Sequence, residues 1–237
     1  MHPGAGESPP PLILLAGMGA DQRLFAPQIR AFPQVIVAKW ITPRADESIG
    51  DYAGRLAQEL NVTGPCFVGG ASFGGFVAVE MARHLDAQAC FLIGSARSPA
   101  ELPLRVRALR RLGRATRVVP FEWVCRAAGR SVDLFGFCSA PRTRQLLRQL
   151  SDADAAFLRW ATRAVLTWQR DSPPPAVPIY HIHGDRDHVL PVSCTRADHV
   201  VRGAGHVLSL THAEDVNEFL RTHMQRHAEH AAPIRAR

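Results

Sequence analysis

Six short stretches, most of them nearly continuous in apolar character, constrain this 237-residue chain more than any other feature. They read PLILLAG (11–17), QVIVAK (34–39), PCFVGG (65–70), ACFLIGS (89–95), VPIYHIHG (177–184) and ADHVVRG (197–203). A strand with one wet face alternates apolar and polar residues, whereas a strand covered on both faces has no need to. Segments of helical pattern separate several of the runs, at 48–60, 73–85 and 213–226. Strand and helix in alternation predict an α/β fold with a mostly parallel central sheet flanked by helices. The length suits one such domain, and 46% apolar with 21% charged residues is the composition of a globular chain.

One interval breaks the alternation. Between 98 and 175 no strand pattern occurs, and LRVRALRRLGRATRVV, FEWVCRAAGR, PRTRQLLRQL and DADAAFLRWATRAVLTWQR all read as helical. A helical insertion at that place is either a small second domain or a cap over the C-terminal edge of the sheet, where ligands bind in open α/β folds. The expected organisation is a tail at 1–10, a core at 11–97 and 176–226, a helical insertion at 98–175, and a second tail at 227–237.

The insertion is also where the charge sits. Lys39 is the only lysine among 28 basic residues. From 97 to 170 there are 15 arginines against Glu101, Glu122, Asp133, Asp152 and Asp154, a local +10. The chain as a whole is +7, so the remainder is 7 − 10 = −3. Arg107, Arg110, Arg111 and Arg114 fall at helical spacing and share a face. They are either a solvated helix surface or a site that attracts an acidic substrate or partner. No nucleic-acid-binding module accompanies them, so nucleic acid is not the expected partner.

The stretch GGASFGGF (69–76) carries the chemistry. It contains the pattern Gly-x-Ser-x-Gly as Gly70, Ser72 and Gly74, between an expected strand and an expected amphipathic helix. On a sharp strand-to-helix turn the flanking positions must be small, and the serine hydroxyl stands exposed at the helix N-terminus. Such a hydroxyl is a weak nucleophile until a base takes its proton. Asp187 follows the strand that ends at Gly184, and His206 follows the strand that ends near Arg202. In a parallel sheet both loops project at the same edge as the serine turn. Ser72, Asp187 and His206 are therefore a candidate nucleophile, acid and base. Asp185 is the rival acid, with the alternative role of holding its loop through backbone hydrogen bonds. His181 and His183 are read as packing residues on a strand, and His188 as a residue beside the acid.

These motifs resemble those of the α/β hydrolases, and the resemblance runs from 12 to 224. The family's nucleophile turn matches at Ser72, its acid loop matches GDRD and selects Asp187, and its base loop matches Gly203-Ala204-Gly205-His206. The insertion then corresponds to the family's helical lid. The resemblance further implies an oxyanion hole formed by the amide of Phe73 and an amide of the loop after the first strand, in LLAGMGADQ. There Gly17 precedes Met18, whose N–H is the expected second donor. Ala16 stands where the family more often has histidine, and the short N-terminal stretch leaves little room for the family's first hairpin.

A chain of this kind is expected to be a serine esterase or thioesterase working through an acyl-enzyme, without metal or organic cofactor. Some lidded hydrolases, the pimeloyl-carrier methyl ester esterases among them, act on acyl groups held by an acidic carrier protein, which makes such a carrier a candidate partner. A lyase, a cofactor-free oxidoreductase and a ligand receptor remain open on the same fold; a dehalogenase is disfavoured because the turn carries serine and not aspartate. No run of 18 apolar residues is present, nor a basic segment followed by an apolar one at the start, so the expectation is a cytoplasmic protein without a membrane span. The five cysteines (66, 90, 125, 138, 194) form no C-x-x-C pair, and neither a disulfide framework nor a zinc site is expected.

Overall fold

The computed structural model describes residues 9–111, 154–169 and 175–231. Its six strands are β1 (Leu12–Leu15), β2 (Val35–Val37), β3 (Cys66–Ala71), β4 (Ala87–Ile93), β5 (Ile179–Gly184) and β6 (His199–Val201). They form one sheet in the order β2-β1-β3-β4-β5-β6, and every pairing is parallel. Each of the six apolar runs holds one strand.

The continuous apolar character of the central runs has its cause in two covered faces. In β1, Ile13 and Leu15 belong to one core cluster while Leu12 and Leu14 belong to the other. In β4, Cys90 and Leu92 go one way and Ala89, Phe91 and Ile93 the other. The side-chain period of two survives, with both faces dry. The edge strands β2 and β6 are three residues each, with Ile36 and Val200 exposed, as suits strands with an unpaired side.

The helices are α1 (Ala26–Ala31), α2 (Ile49–Leu60), α3 (Phe73–Met81), α4 (Leu104–Arg111), α5 (Ala155–Thr167), α6 (Leu208–Thr211) and α7 (Ala213–Ala231). Ser48 caps α2 by accepting from the Asp51 N–H at 3.1 Å, and left-handed Asn61 (φ 47°) ends it. Ile49, Tyr52, Ala53, Leu56 and Ala57 of α2 join the first cluster; Val216, Phe219, Leu220 and Met224 of α7 join the second.

Three features depart from the sequence reading. Helix α7 runs on to Ala231, into the tail expected at 227–237. The turn Gln22–Phe25 and helix α1 fill a stretch with no clear period, held by the Asp21 cap on Arg23 and the Pro27 start. Helix α3 is not amphipathic: all nine of its residues are buried, Glu80 included. It packs on the sheet and on α2, and its Phe73 meets Phe157 and Trp160 of α5. Phe76 of α3 stacks on Trp168 at 4.9 Å, and the Trp168 indole N–H donates to Glu80 at 3.0 Å.

Of the expected insertion at 98–175, α4 and α5 are described and helical. Asp154 caps α5 by accepting from the Ala156 N–H, and the Trp160 indole N–H donates to the Glu47 carbonyl at 2.9 Å. Arg107 is exposed on α4. Arg110 and Arg111 end that helix, and Arg114 lies outside the described residues. No helix among the described residues is long and apolar enough to cross a membrane.

Candidate active site

The site begins with a close approach of backbone to backbone. A Cβ at position 70 would lie 2.3 Å from the carbonyl carbon of Gly74, and a Cβ at 74 would lie 2.1 Å from the Leu15 carbonyl oxygen. Only glycine at both positions lets α3 leave β3 this sharply and press against the end of β1. Gly17 lies beside them without the same constraint, since a Cβ there would meet that of Ser72 at an ordinary 3.6 Å.

Ser72 pivots between strand and helix at φ 52°, ψ −123°, a conformation that costs a residue with a Cβ about 1–3 kcal/mol. Three hydrogen bonds hold it there. The Ser72 N–H donates to Ile93 O at 3.1 Å, and the Ser72 carbonyl accepts from the Gly75 N–H at 3.0 Å and from the buried Ser95 hydroxyl at 2.7 Å. The Ser72 side chain does not cap α3. Its Oγ lies 2.8 Å from Nε2 of His206.

On the other side of that imidazole, Nδ1 is 2.7 Å from Oδ2 of Asp187. The Asp187 side chain is fully buried, while 12% of the His206 side chain stays accessible. The imidazole thus meets both a sealed carboxylate and an open hydroxyl. Oδ1 of Asp187 accepts from the Val189 and Leu190 N–H groups, each at 2.9 Å. Burial pushes the Asp187 carboxyl up, but the His206 charge, contacts from His183 and His206 and the Leu190 N–H outweigh it. The net result is a carboxyl held well below its usual range. With Asp187 ionised, Nδ1 of His206 carries the proton and Nε2 is free to accept from Ser72.

Asp185 has the other role weighed for it: it is exposed, and its Oδ1 accepts from the Gly203 N–H at 2.7 Å. That bond ties the acid loop to the base loop, as does Arg186 N–H to Ala204 O at 2.9 Å. His188 is exposed, and its carbonyl accepts from Arg105 of α4. Among the described residues the Phe73 and Met18 amides donate to no protein acceptor. Phe73 N–H sits in the first turn of α3, where the helix leaves donors unpaired and anions are favoured. Thr162 of α5 touches the Met18 sulfur at 3.9 Å, so the insertion reaches the loop after β1.

A groove of about 290 Å³ opens beside that loop, lined by Gly19, Ala20, Trp40 and Phe157 among others. A larger one of about 870 Å³ lies over α2, α3 and the end of α5, with none of Ser72, Asp187 or His206 in its wall. Ser72, Asp187 and His206 are absent from the wall of the smaller groove as well. No cluster of three or more metal-ligating side chains occurs among the described residues. Cys66 and Cys90 are free and buried, and burial pushes the Cys90 thiol up to about 12.

A family model described as the alpha/beta hydrolase family matches residues 3–219. The chain belongs to that family. None of the curated proteins matches it in sequence. This α/β hydrolase is similar in fold to a thermophilic esterase from Thermogutta terrifontis, at 17% identity over 92% of this chain and 90% of that one, with a TM-score of 0.67. It is similar to a hydrolase from Pseudomonas aeruginosa at 16% identity, 92% and 91% coverage and a TM-score of 0.64. A third relative in fold is an enol-lactonase from Burkholderia xenovorans, at 17% identity, 91% coverage of both chains and a TM-score of 0.61.

Sequence reasoning missed His183 and Ser95 as parts of this site. The pattern His181-Ile182-His183 on a strand places both imidazoles on one face, just before the acid loop; that was the available signal.

Proposed function

We propose that this α/β hydrolase is a serine enzyme that cleaves a carboxylic ester or thioester through an acyl-enzyme. One observation carries the reading: the Ser72 hydroxyl, on a residue at φ 52°, lies 2.8 Å from an imidazole whose other nitrogen is 2.7 Å from a buried carboxylate. A hydroxyl that caps no helix and meets a base is placed for attack.

In this mechanism Nε2 of His206 takes the Ser72 proton as Oγ bonds to the acyl carbon. The carbonyl π pair moves onto oxygen, and the Phe73 and Met18 amides stabilise that oxyanion, each worth about 3–4 kcal/mol at the transition state. Collapse of the tetrahedral intermediate breaks the bond to the leaving alcohol or thiol, which takes the proton back from His206. A water then gives its proton to the same nitrogen and attacks the ester on Ser72. The acid leaves and the serine is restored. Asp187 keeps the imidazole in the required tautomer and stabilises its charge throughout.

Solved structures of similar fold that are described as esterases support the ester reading. The +10 segment at 97–170 adds a preference to it: an acyl group on an acidic carrier would gain from the arginines. The test is hydrolysis of short p-nitrophenyl esters and acyl thioesters, with product analysis, by wild type and Ser72→Ala. Turnover that disappears in Ser72→Ala supports the proposal. Turnover retained by Ser72→Ala, or products of elimination, would sink it.

A further inference from the structure

Behind the candidate acid lies a buried polar chain that the mechanism above does not use. His181 and His183, both on β5, are fully buried, and Nε2 of His181 is 2.9 Å from Nδ1 of His183. Nε2 of His183 is 2.7 Å from the Leu190 carbonyl and 3.2 Å from Oδ2 of Asp187. Leu190 is the residue whose own N–H donates to Oδ1 of Asp187. One short turn, 187–190, is therefore gripped from both sides.

The proton positions follow from the acceptors. A carbonyl oxygen only accepts, so Nε2 of His183 carries hydrogen and Nδ1 of the neutral ring does not. His181 must then donate from its Nε2, leaving its Nδ1 bare, and that nitrogen has no hydrogen-bond partner among the described residues. A bare imidazole nitrogen tolerates this better than an orphaned N–H would. Burial, with the neighbouring His183 and Arg97, drives the His181 pKa down to about 3, which keeps the ring neutral as the chain requires.

We infer that His183 is a positioning residue for Asp187: its Nε2–H fixes the Leu190 carbonyl, and through Leu190 the carboxylate that orients His206, while His181 fixes the His183 ring from behind. The inference rests on the hydrolase reading for its effect on rate but not for its geometry. Packing alone would make any side chain of similar size adequate; positioning requires a donor at the place of Nε2.

That difference sets the test, with the rate of Ser72 labelling by a fluorophosphonate as readout. His183→Gln keeps a donor at the reach of Nε2, and His183→Asn falls short of it. Expected are a maximal labelling rate about tenfold or more below wild type for His183→Asn with little change in probe affinity, the size of a lost hydrogen bond beside a charged group, and near-complete recovery in His183→Gln. Equal rates in the two variants would overturn the inference, as would a His183→Asn protein as fast as wild type. If His183→Asn does not fold, the wild type decides through a long-range 1H–15N NMR correlation, with His183 assigned by its loss in His183→Gln. The Nε2–H tautomer is expected, and an Nδ1–H tautomer would overturn the inference. A wild type that no fluorophosphonate labels would refute the hydrolase reading instead, and the tautomer would still report on His183.

Discussion

Gly74→Ala and Gly50→Ala are the same chemical change with opposite expected signs. Both glycines lie in helices, and neither has a positive φ, so the backbone accepts alanine at each. Helix propensity favours alanine by up to about 1 kcal/mol. At position 50 the added methyl meets only the Ser48 hydroxyl at 3.7 Å, an ordinary contact. At position 74 it would lie 2.1 Å from Leu15 O, 2.3 Å from Ala16 O and 2.6 Å from the Leu15 carbonyl carbon. Relief requires a displacement of roughly 1 Å in backbone that is packed on every side. Overpacking against movable side chains costs about 1–3 kcal/mol, and backbone of a paired strand puts this case at about 3 kcal/mol or more. After the propensity gain, Gly74→Ala should be less stable by at least about 2 kcal/mol, a fall of roughly 1 M in the urea midpoint. Gly50→Ala should match wild type or exceed it. Urea denaturation followed by circular dichroism measures both. A Gly74→Ala protein as stable as wild type would refute the close approach of α3 to β1 on which the serine turn depends.

The remaining expectations concern charge and chemistry. His181 has a folded pKa of about 3 against 6.5 in an open chain, so the unfolded state binds the extra proton first. Its contribution is complete above pH 6.5 and is lost as pH falls toward 3, about 2 kcal/mol of it by pH 5. His181→Gln should flatten the urea-midpoint profile between pH 8 and 5 relative to wild type; an unchanged slope would contradict this. Asp187→Asn should leave a folded protein whose esterase turnover is down by about 10⁴, because an amide donates where the imidazole needs an acceptor; steady-state rates at saturating ester would show it, and a loss under tenfold would not fit. Alanine at Arg107, Arg110, Arg111 and Arg114 together should slow acidic carrier-bound acyl substrates far more than small neutral esters, and equal slowing of both would leave these arginines as surface.

The sheet was legible because its central strands are covered on both faces, so that each run of apolar residues marks one strand. Ser72, Asp187 and His206 were legible as candidates for a related reason: parallel strands deliver their following loops to one edge, and the order of strands places those loops within reach. Helix α3 carries one polar side chain, Glu80, in nine residues, so its burial was legible locally, and Trp168 and Phe157 are part of what covers it. What the sequence did not reveal depends on contacts between distant segments. His183 reads as a strand residue until Leu190 folds back over it. Ser95 is one serine among many until its hydroxyl is found on the Ser72 carbonyl. Asp187, which the GDRD match selects, is buried, and its rival Asp185 is exposed.

Whether Ser72 is an activated nucleophile decides between a serine hydrolase and a non-hydrolytic member of the fold. Wild type and Ser72→Ala, incubated with a fluorophosphonate and analysed by intact-protein and peptide mass spectrometry, answer that directly. The expected result is a single phosphonyl adduct on Ser72 and none on Ser72→Ala. A folded wild type that takes no adduct, or takes it at another residue, would contradict the account.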